Sequence, residues 1–223
     1  MIELSGTDNA KRGRFIAFEG GEGAGKSTQA RMLASALETR GLDVDTTREP
    51  GGTAGAEAIR VLLLDPPDAA GWSPQAEALL FAAARADHVA QRINPALASG
   101  SWVICDRFVD SSRAYQGGAG GIGDDAILSL HQFGSAGLRP DVTILIEVGA
   151  DRMEQRLAQR DGGASDAIGG RGAEYHAEVA SAFRSLAQAD TEGFAIIDGN
   201  GSPEDVHARV MKVLERRFQD ELA

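Results

Sequence analysis

At 223 residues the chain can bury one good-sized hydrophobic core. Its 22 Lys+Arg against 33 Asp+Glu leave a formal net charge of −11, which argues against a general nucleic-acid binder, a class that needs a basic field. The lone Cys105 excludes an intramolecular disulfide and suggests no zinc cluster; no apolar run approaches a membrane span or a secretory leader, so a cytoplasmic enzyme fits.

Residues 1–13 are polar and read as a frayed tail, followed by one domain over residues 14–223. Phe15-Ile16-Ala17-Phe18 reads as a short buried strand. Next come Gly20, Gly21, Glu22, Gly23, Ala24, Gly25, Lys26, Ser27 and Thr28, which fit G-x-x-x-x-G-K-[ST], the phosphate-binding loop. Its glycines let successive backbone N–H groups face phosphate oxygens, and the helix that follows adds a partial positive charge at its N-terminus. Lys26 is then expected at the β- and γ-phosphates of a nucleoside triphosphate, and the Ser27 hydroxyl on Mg²⁺. That helix is expected from Lys26 to about Arg40, stopping at Gly41.

A second strand over 42–47 leads to Arg48-Glu49-Pro50-Gly51-Gly52-Thr53, a loop at the strand edge where ligands of open α/β sheets bind. Arg48 could fork onto a second phosphate, or be an ordinary surface residue. A short helix over 54–64 precedes a Pro/Gly break, and a long helix runs from Ser73-Pro74 to about Ala98. On it Phe81 and Arg85 are four apart and share a face. Spacing alone favours core for Phe81 and a solvated charge for Arg85; an aromatic plane beside a donor fork could also stack a base and bond its edge.

Trp102-Val103-Ile104-Cys105 is a buried strand ending at Asp106-Arg107-Phe108. A carboxylate there suits the Mg²⁺ side of a phosphate-loop site, and Arg107 could screen phosphate charge. The polar run Asp110 to Gly117 contains Ser111, Tyr115 and Gln116, and 117–123 is too glycine-rich to be rigid by itself. A helix over 124–135 and a fourth strand over 141–148 follow. In a helix over 150–160, Arg152, Arg156 and Arg160 form a positive stripe, and a glycine-rich segment reaches Gly172. This is either a mobile lid, about 156–172, that carries Arg156, Arg160 and Arg171 to phosphates, or a solvated helix face with a floppy loop. A helix over 174–189, a fifth strand over 194–198 and a capped last helix from Ser202-Pro203 close the chain. Five short apolar strands alternating with helices give an α/β fold of the P-loop NTPase type, a five-stranded parallel sheet with helices on both faces.

Together these pieces resemble the thymidylate kinases. The residues that carry the resemblance are Phe18-Glu19-Gly20 through Thr28, Arg48-Glu49-Pro50-Gly51-Gly52-Thr53, Leu80-Phe81 through His88, Asp106-Arg107-Phe108 and Ser111-Ser112-Arg113-Ala114-Tyr115-Gln116-Gly117. The resemblance implies transfer of the γ-phosphoryl of ATP to dTMP, with Mg²⁺ held by Ser27 and Asp106, giving dTDP for dTTP synthesis. It implies that Phe81 stacks on thymine, Arg85 bonds the base edge, and Arg48 and Arg107 hold the dTMP phosphate. Tyr115 would exclude a ribose 2′-OH, Gln116 and Ser111 would lie at the nucleotide, and Glu22 would face the sugar 3′-OH side. Glu22 with no arginine in the loop resembles the bacterial subtype whose lid arginines, here Arg156, Arg160 and Arg171, serve the phosphates, Arg160 on the ATP side. The loop from Gly199 to Pro203 matches one beside adenine, and a homodimer through the long helices is implied. Two positions depart from the family: Gly170 precedes Arg171 where an Asp is usual, in a shorter lid, and Ile146-Glu147-Val148 replaces Leu-Asp-Val. The rival readings are a kinase for another deoxynucleotide and a nucleotide-binding regulator or inactive paralogue.

Overall fold

The computed structural model describes residues 12–68, 70–149 and 168–222. Among them, β1 (Phe15–Glu19), β2 (Val44–Arg48), β3 (Trp102–Asp106), β4 (Val142–Glu147) and β5 (Phe194–Asp198) form one parallel sheet in the order β2-β3-β1-β4-β5. The helices are α1 (Lys26–Thr39), α2 (Ala54–Leu64), α3 (Pro74–His88), α4 (Asn94–Ala98), α5 (Val109–Ser112), α6 (Asp124–Ser135), α7 (Ala173–Ala189), α8 (Pro203–Arg217) and α9 (Gln219–Leu222). The expected helix over 150–160, with Arg152, Arg156 and Arg160, lies outside the described residues, as does the lid up to residue 167.

Alternation along the central strands explains why each reads as a continuous apolar run: both faces are covered. Ile16 and Phe18 of β1, with Ile104, Ile144 and Ile146, pack against Leu33 and Leu37 of α1 and Val210 and Leu214 of α8. On the opposite face Phe15, Ala17, Val103 and Cys105 meet Val89, Ile93 and Leu97. Leu145 and Phe194 there meet Val179 and Phe183 of α7. Each fully buried Phe, Leu or Ile contributes roughly 1.5–3 kcal/mol relative to exposure. Cys105 is buried, as a small core residue.

The structure corrects the expected boundaries at a few points. Gly13, assigned to the frayed tail, is buried and donates its N–H to Leu97 O at 2.9 Å. β2 starts later than expected and includes Arg48, because its pairing with β3 runs from Val44↔Trp102 to Arg48↔Asp106. The long helix is continuous in sequence but holds a π-helical turn over Val89–Ile93 between α3 and α4. The run expected to be a polar stretch and a loose glycine loop is instead α5 leading into a π-helix, Arg113–Ala119. Wide i−5 bonds such as Gly120 N–H to Tyr115 O at 2.7 Å hold it, and Gly118 sits where a Cβ would lie 2.9 Å from that of Ala182 on α7. Gly117 and Gly118 are thus packing residues, while Gly121 and Gly123 take positive φ in open space.

Candidate active site

Because the strands are parallel, their last residues meet at one edge of the sheet. Glu19, Arg48 and Asp106 end β1, β2 and β3, and the register sets Asp106 between Phe18 and Arg48. Ligands of open parallel sheets bind at this edge. A cleft of about 660 Å³ opens there, within the range of small-molecule sites. Glu22 to Thr28, Arg48, Phe81, Asp106, Arg107, Ser111, Tyr115 and Gln116 all line it.

The phosphate loop joins β1 to α1. Gly20 has φ 137°, and a Cβ there would lie 2.5 Å from Ile146 O, so only glycine fits. No side chain caps α1, which leaves its first N–H groups available to an anion. Lys26 is buried and donates to Gly20 O at 3.1 Å and Gly21 O at 2.8 Å. Burial, then Arg107, pushes its ammonium down to about 8 against the pull of Asp106, Glu22 and Glu19. The Ser27 hydroxyl donates to the Asp106 carboxylate, so the two expected Mg²⁺ ligands are in contact.

Arg107 has φ 71°, unusual for a side-chain-bearing residue and common at functional sites. Its Nη1 donates to Gly20 O at 3.2 Å and Ser111 Oγ at 3.0 Å, and its Nη2 to Glu22 Oε1 at 2.5 Å and Tyr115 Oη at 3.2 Å. The guanidinium lies 5.1 Å from the centre of the Tyr115 ring. Burial works against its charge, and Tyr115, Glu22, Glu19 and Asp106 together outweigh it and raise its pKa.

Sequence reasoning gave no role to the residue beneath this turn. Glu19 is fully buried and accepts from Phe108 N at 2.8 Å, Ser111 N at 2.9 Å and Ser111 Oγ at 2.6 Å. It therefore fixes the turn that aims Arg107, and Ser111 links the two side chains. Burial pushes its carboxyl up to about 7, with Asp110 adding and Arg107 opposing. The only signal in the sequence was an acidic residue closing an apolar strand.

The acceptor side departs from expectation in more places. Arg48 is half exposed and paired with Glu57 at 3.0 Å, at the cleft rim. Arg85 is 3% exposed, which overturns the solvated-charge reading. Its Nε donates to Glu49 Oε2 at 2.7 Å and its Nη2 to Ser112 Oγ at 2.8 Å, so it stands behind Ser112, which lines the cleft. His88 Nδ1 meets the same Glu49 carboxylate at 3.1 Å, and its Nε2 meets Thr47 Oγ1 at 2.7 Å. Gly52 abuts this cluster with φ 92°, and a Cβ there would lie 2.5 Å from both Thr47 Oγ1 and His88 Nε2. That packing accounts for the Arg-Glu-Pro-Gly-Gly-Thr spacing. Arg171 does not line the cleft; it is bound to Glu77 and donates to Tyr175 Oη at 2.6 Å. Pro203 and Val206 of α8 line the far end, where Gln29 Nε2 donates to Pro203 O at 2.9 Å.

The chain matches the family model described as thymidylate kinase over residues 18–210. It is 54% identical over 202 residues to the thymidylate kinase of Rhizorhabdus wittichii, covering 91% of this chain and 97% of that one. It is 44% identical over 219 residues to the thymidylate kinase of Rhodopseudomonas palustris, covering 98% and 95%. The crystal structure of the Ehrlichia chaffeensis thymidylate kinase superposes with a TM-score of 0.75 at 34% identity, covering 91% of this chain and 99% of that one.

The buried Glu19 carboxyl predicts a pH-dependent stability. Between its ordinary value of 4.5 and about 7, the folded state keeps a proton that the unfolded state has lost, so this group's contribution falls as pH rises. Glu19→Gln removes that dependence. Urea melts at pH 5 and pH 8 are expected to show the wild type's advantage over Glu19→Gln shrinking at the higher pH. An advantage that is constant, or that grows with pH, contradicts the buried, proton-holding carboxyl.

Proposed function

The chain belongs to the thymidylate kinase family, and we propose that its cleft seats ATP over the phosphate loop and dTMP against Phe81, with the two phosphate ends meeting at Lys26 and Arg107. The reaction is transfer of the γ-phosphoryl of ATP to dTMP, giving dTDP and ADP. The observation that carries the residue assignment is the convergence of Lys26, Ser27, Asp106 and Arg107 at one end of the cleft, with Phe81, Tyr115 and Gln116 on its wall.

Catalysis in this site is positioning and charge neutralisation. Lys26 gives up its carbonyl partners for the β- and γ-phosphates, and the loop amides hold the rest of the triphosphate. Arg107 lies where donor and acceptor phosphates meet and, with Arg48, grips the dTMP phosphate. Both arginines must leave carboxylate partners, Glu22 and Glu57, which hold them in place beforehand. The second pKa of the acceptor phosphate is about 6, so it attacks already ionised and no general base is needed. Ser27 and Asp106 supply the two hard oxygen ligands that would hold Mg²⁺ along with phosphate oxygens and water. Bound there, the ion would neutralise charge on the β- and γ-phosphates.

Phe81 stacks the thymine, Arg85 serves the base edge where it holds Ser112, and Tyr115 closes the space that a 2′-OH would need. Glu22 lies on the 3′-OH side and Ser111 beside the acceptor phosphate. Arg156 and Arg160 keep their assignment to the transferring phosphates on the family resemblance, while Arg171 is bound elsewhere. A cytoplasmic setting goes with the substrates, and no helix among the described residues is long and apolar enough to cross a membrane. A homodimer is supported by exposed apolar side chains on three adjoining helices: Val61 and Leu62 of α2, Leu79 of α3 and Phe133 of α6, the last 94% exposed.

ADP release with ATP, Mg²⁺ and a panel of nucleoside monophosphates tests the acceptor assignment. Strong stimulation by dTMP, with little by ribonucleotides, is expected; stimulation by a different monophosphate alone would reassign the base pocket. Lys26→Ala is expected to lower kcat by about 10²–10³-fold with the fold retained by circular dichroism. Full activity in that variant would remove Lys26 from the mechanism. Phe81→Ala is expected to raise the dTMP KM about tenfold, the scale of one base–aromatic stack, and to leave the ATP KM unchanged. Phe133→Asp is expected to shift sedimentation from dimer to monomer; an unchanged dimer would place the interface elsewhere.

A further inference from the structure

Glu77 is 8% exposed and does not line the cleft, yet it touches two other parts of the chain. It stands one helical turn before Phe81 on α3, on the same face. Its Oε1 accepts from Gln116 Nε2 at 2.8 Å, and its Oε2 accepts from the Arg171 guanidinium. Arg171 in turn donates to Tyr175 Oη at 2.6 Å and lies 4.8 Å from the centre of that ring. The circuit closes because Tyr175 Oη donates to Tyr115 O at 2.9 Å, and Tyr115 precedes Gln116. A ring of polar contacts thus joins α3, the π-helix over Arg113–Ala119 and the start of α7, directly behind the wall made by Phe81, Tyr115 and Gln116.

The chemistry at each corner is fixed. An ionised carboxylate can only accept, so it decides which end of the Gln116 amide faces it. The NH₂ must turn to Glu77, and the carbonyl oxygen must turn away. No described residue donates to Gln116 Oε1, and Gln116 lines the cleft, so that oxygen is the atom left for a ligand. A carboxamide at 77 would lose this discrimination, having an acceptor and a donor of its own. Arg171 balances the buried charge, which otherwise would be costly.

We propose that Glu77 is a positioning residue for the nucleotide acceptor: it orients the Gln116 amide so that an acceptor oxygen faces the bound monophosphate, with Arg171 and Tyr175 bracing that wall. This rests on the acceptor reading above, in that dTMP occupies the Phe81 side of the cleft. Glu77 touches no phosphate, so its loss acts on acceptor affinity and not on the transfer step.

The test measures dTMP affinity by calorimetry, and kcat with both KM values, for Glu77→Gln, Gln116→Leu and the double variant. Glu77→Gln is expected to weaken dTMP binding about tenfold, the scale of a hydrogen bond to a charged group, with kcat and the ATP KM within about twofold. Gln116→Leu is expected to match it, and the double variant to be no worse than Gln116→Leu alone, since both act through one amide. Tyr175→Phe, which opens the ring at another corner, is expected to show a smaller effect of the same kind. Additive losses in the double variant, an unchanged dTMP affinity in Glu77→Gln, or a fall of kcat and both affinities together with thermal stability would each overturn the proposal. The ratio of variant to wild type is read on whichever monophosphate the wild type takes. A wild type that prefers another acceptor would therefore refute the dTMP assignment, while the ratio on that acceptor still decides the role of Glu77.

Discussion

The structure turns on keeping two cations buried and charged at the sheet edge before any phosphate arrives. Lys26 and Arg107 both lose water there, and each disfavours the charge of the other. Three carboxylates, Glu19, Glu22 and Asp106, sit close enough to offset that cost. Parallel strands make this possible, because they deliver Glu19 and Asp106 to the same edge as neighbours. In the proposed reading, the loop carbonyls that hold Lys26 and the Glu22 that holds Arg107 occupy the places of phosphate oxygens. The net charge of −11 is thus compatible with anionic substrates, since the positive field is confined to a few side chains in one cleft.

What the sequence revealed follows how local each signal is. The phosphate loop was legible because its chemistry is written in consecutive residues, and the three central strands because both faces of the sheet there are covered. α6 lies at its expected residues, with Asp124 and Asp125 in its first turn. The π-helical segments were not legible. A π-turn such as Val89–Ile93 keeps an apolar pattern close to helical, and Arg113–Ala119 holds Gly118 for a reason that lies on α7, at Ala182, 64 residues away in sequence. Likewise Arg48 read as a loop residue because strand ends are set by register with a neighbour, here Asp106, and not by composition.

Side-chain roles were legible only where the side chain itself faces the cleft. Phe81, Tyr115, Gln116 and Ser111 were expected there, and they line it. Arg85 and Arg171 are cations that the resemblance assigned to a ligand; neither lines the cleft, and they meet buried carboxylates, Glu49 and Glu77. No single-sequence pattern can distinguish these cases, because the partner lies 36 residues away for Arg85 and 94 away for Arg171. The same limitation hid Glu19, whose function is exerted through two backbone N–H groups and a hydroxyl on another loop.

Those missed residues share a mode of action. Glu19 accepts from the turn that carries Arg107, Glu49 holds Arg85 and His88, and Glu77 holds Gln116 and Arg171. Each is an almost fully buried acidic residue; Glu19 and Glu77 stand behind residues that line the cleft, while Glu49 lines it and holds Arg85 and His88 behind it. An acidic side chain suits this task because its planar oxygens accept, so a donor that it binds cannot turn round without leaving a buried polar group unpaired. Glu19 holds the turn that carries Arg107, and Glu77 holds the Gln116 amide. Acidic groups placed one layer below the proposed ligand sites therefore preorganise the cleft wall, at the cost of burying polar groups that would otherwise favour solvent.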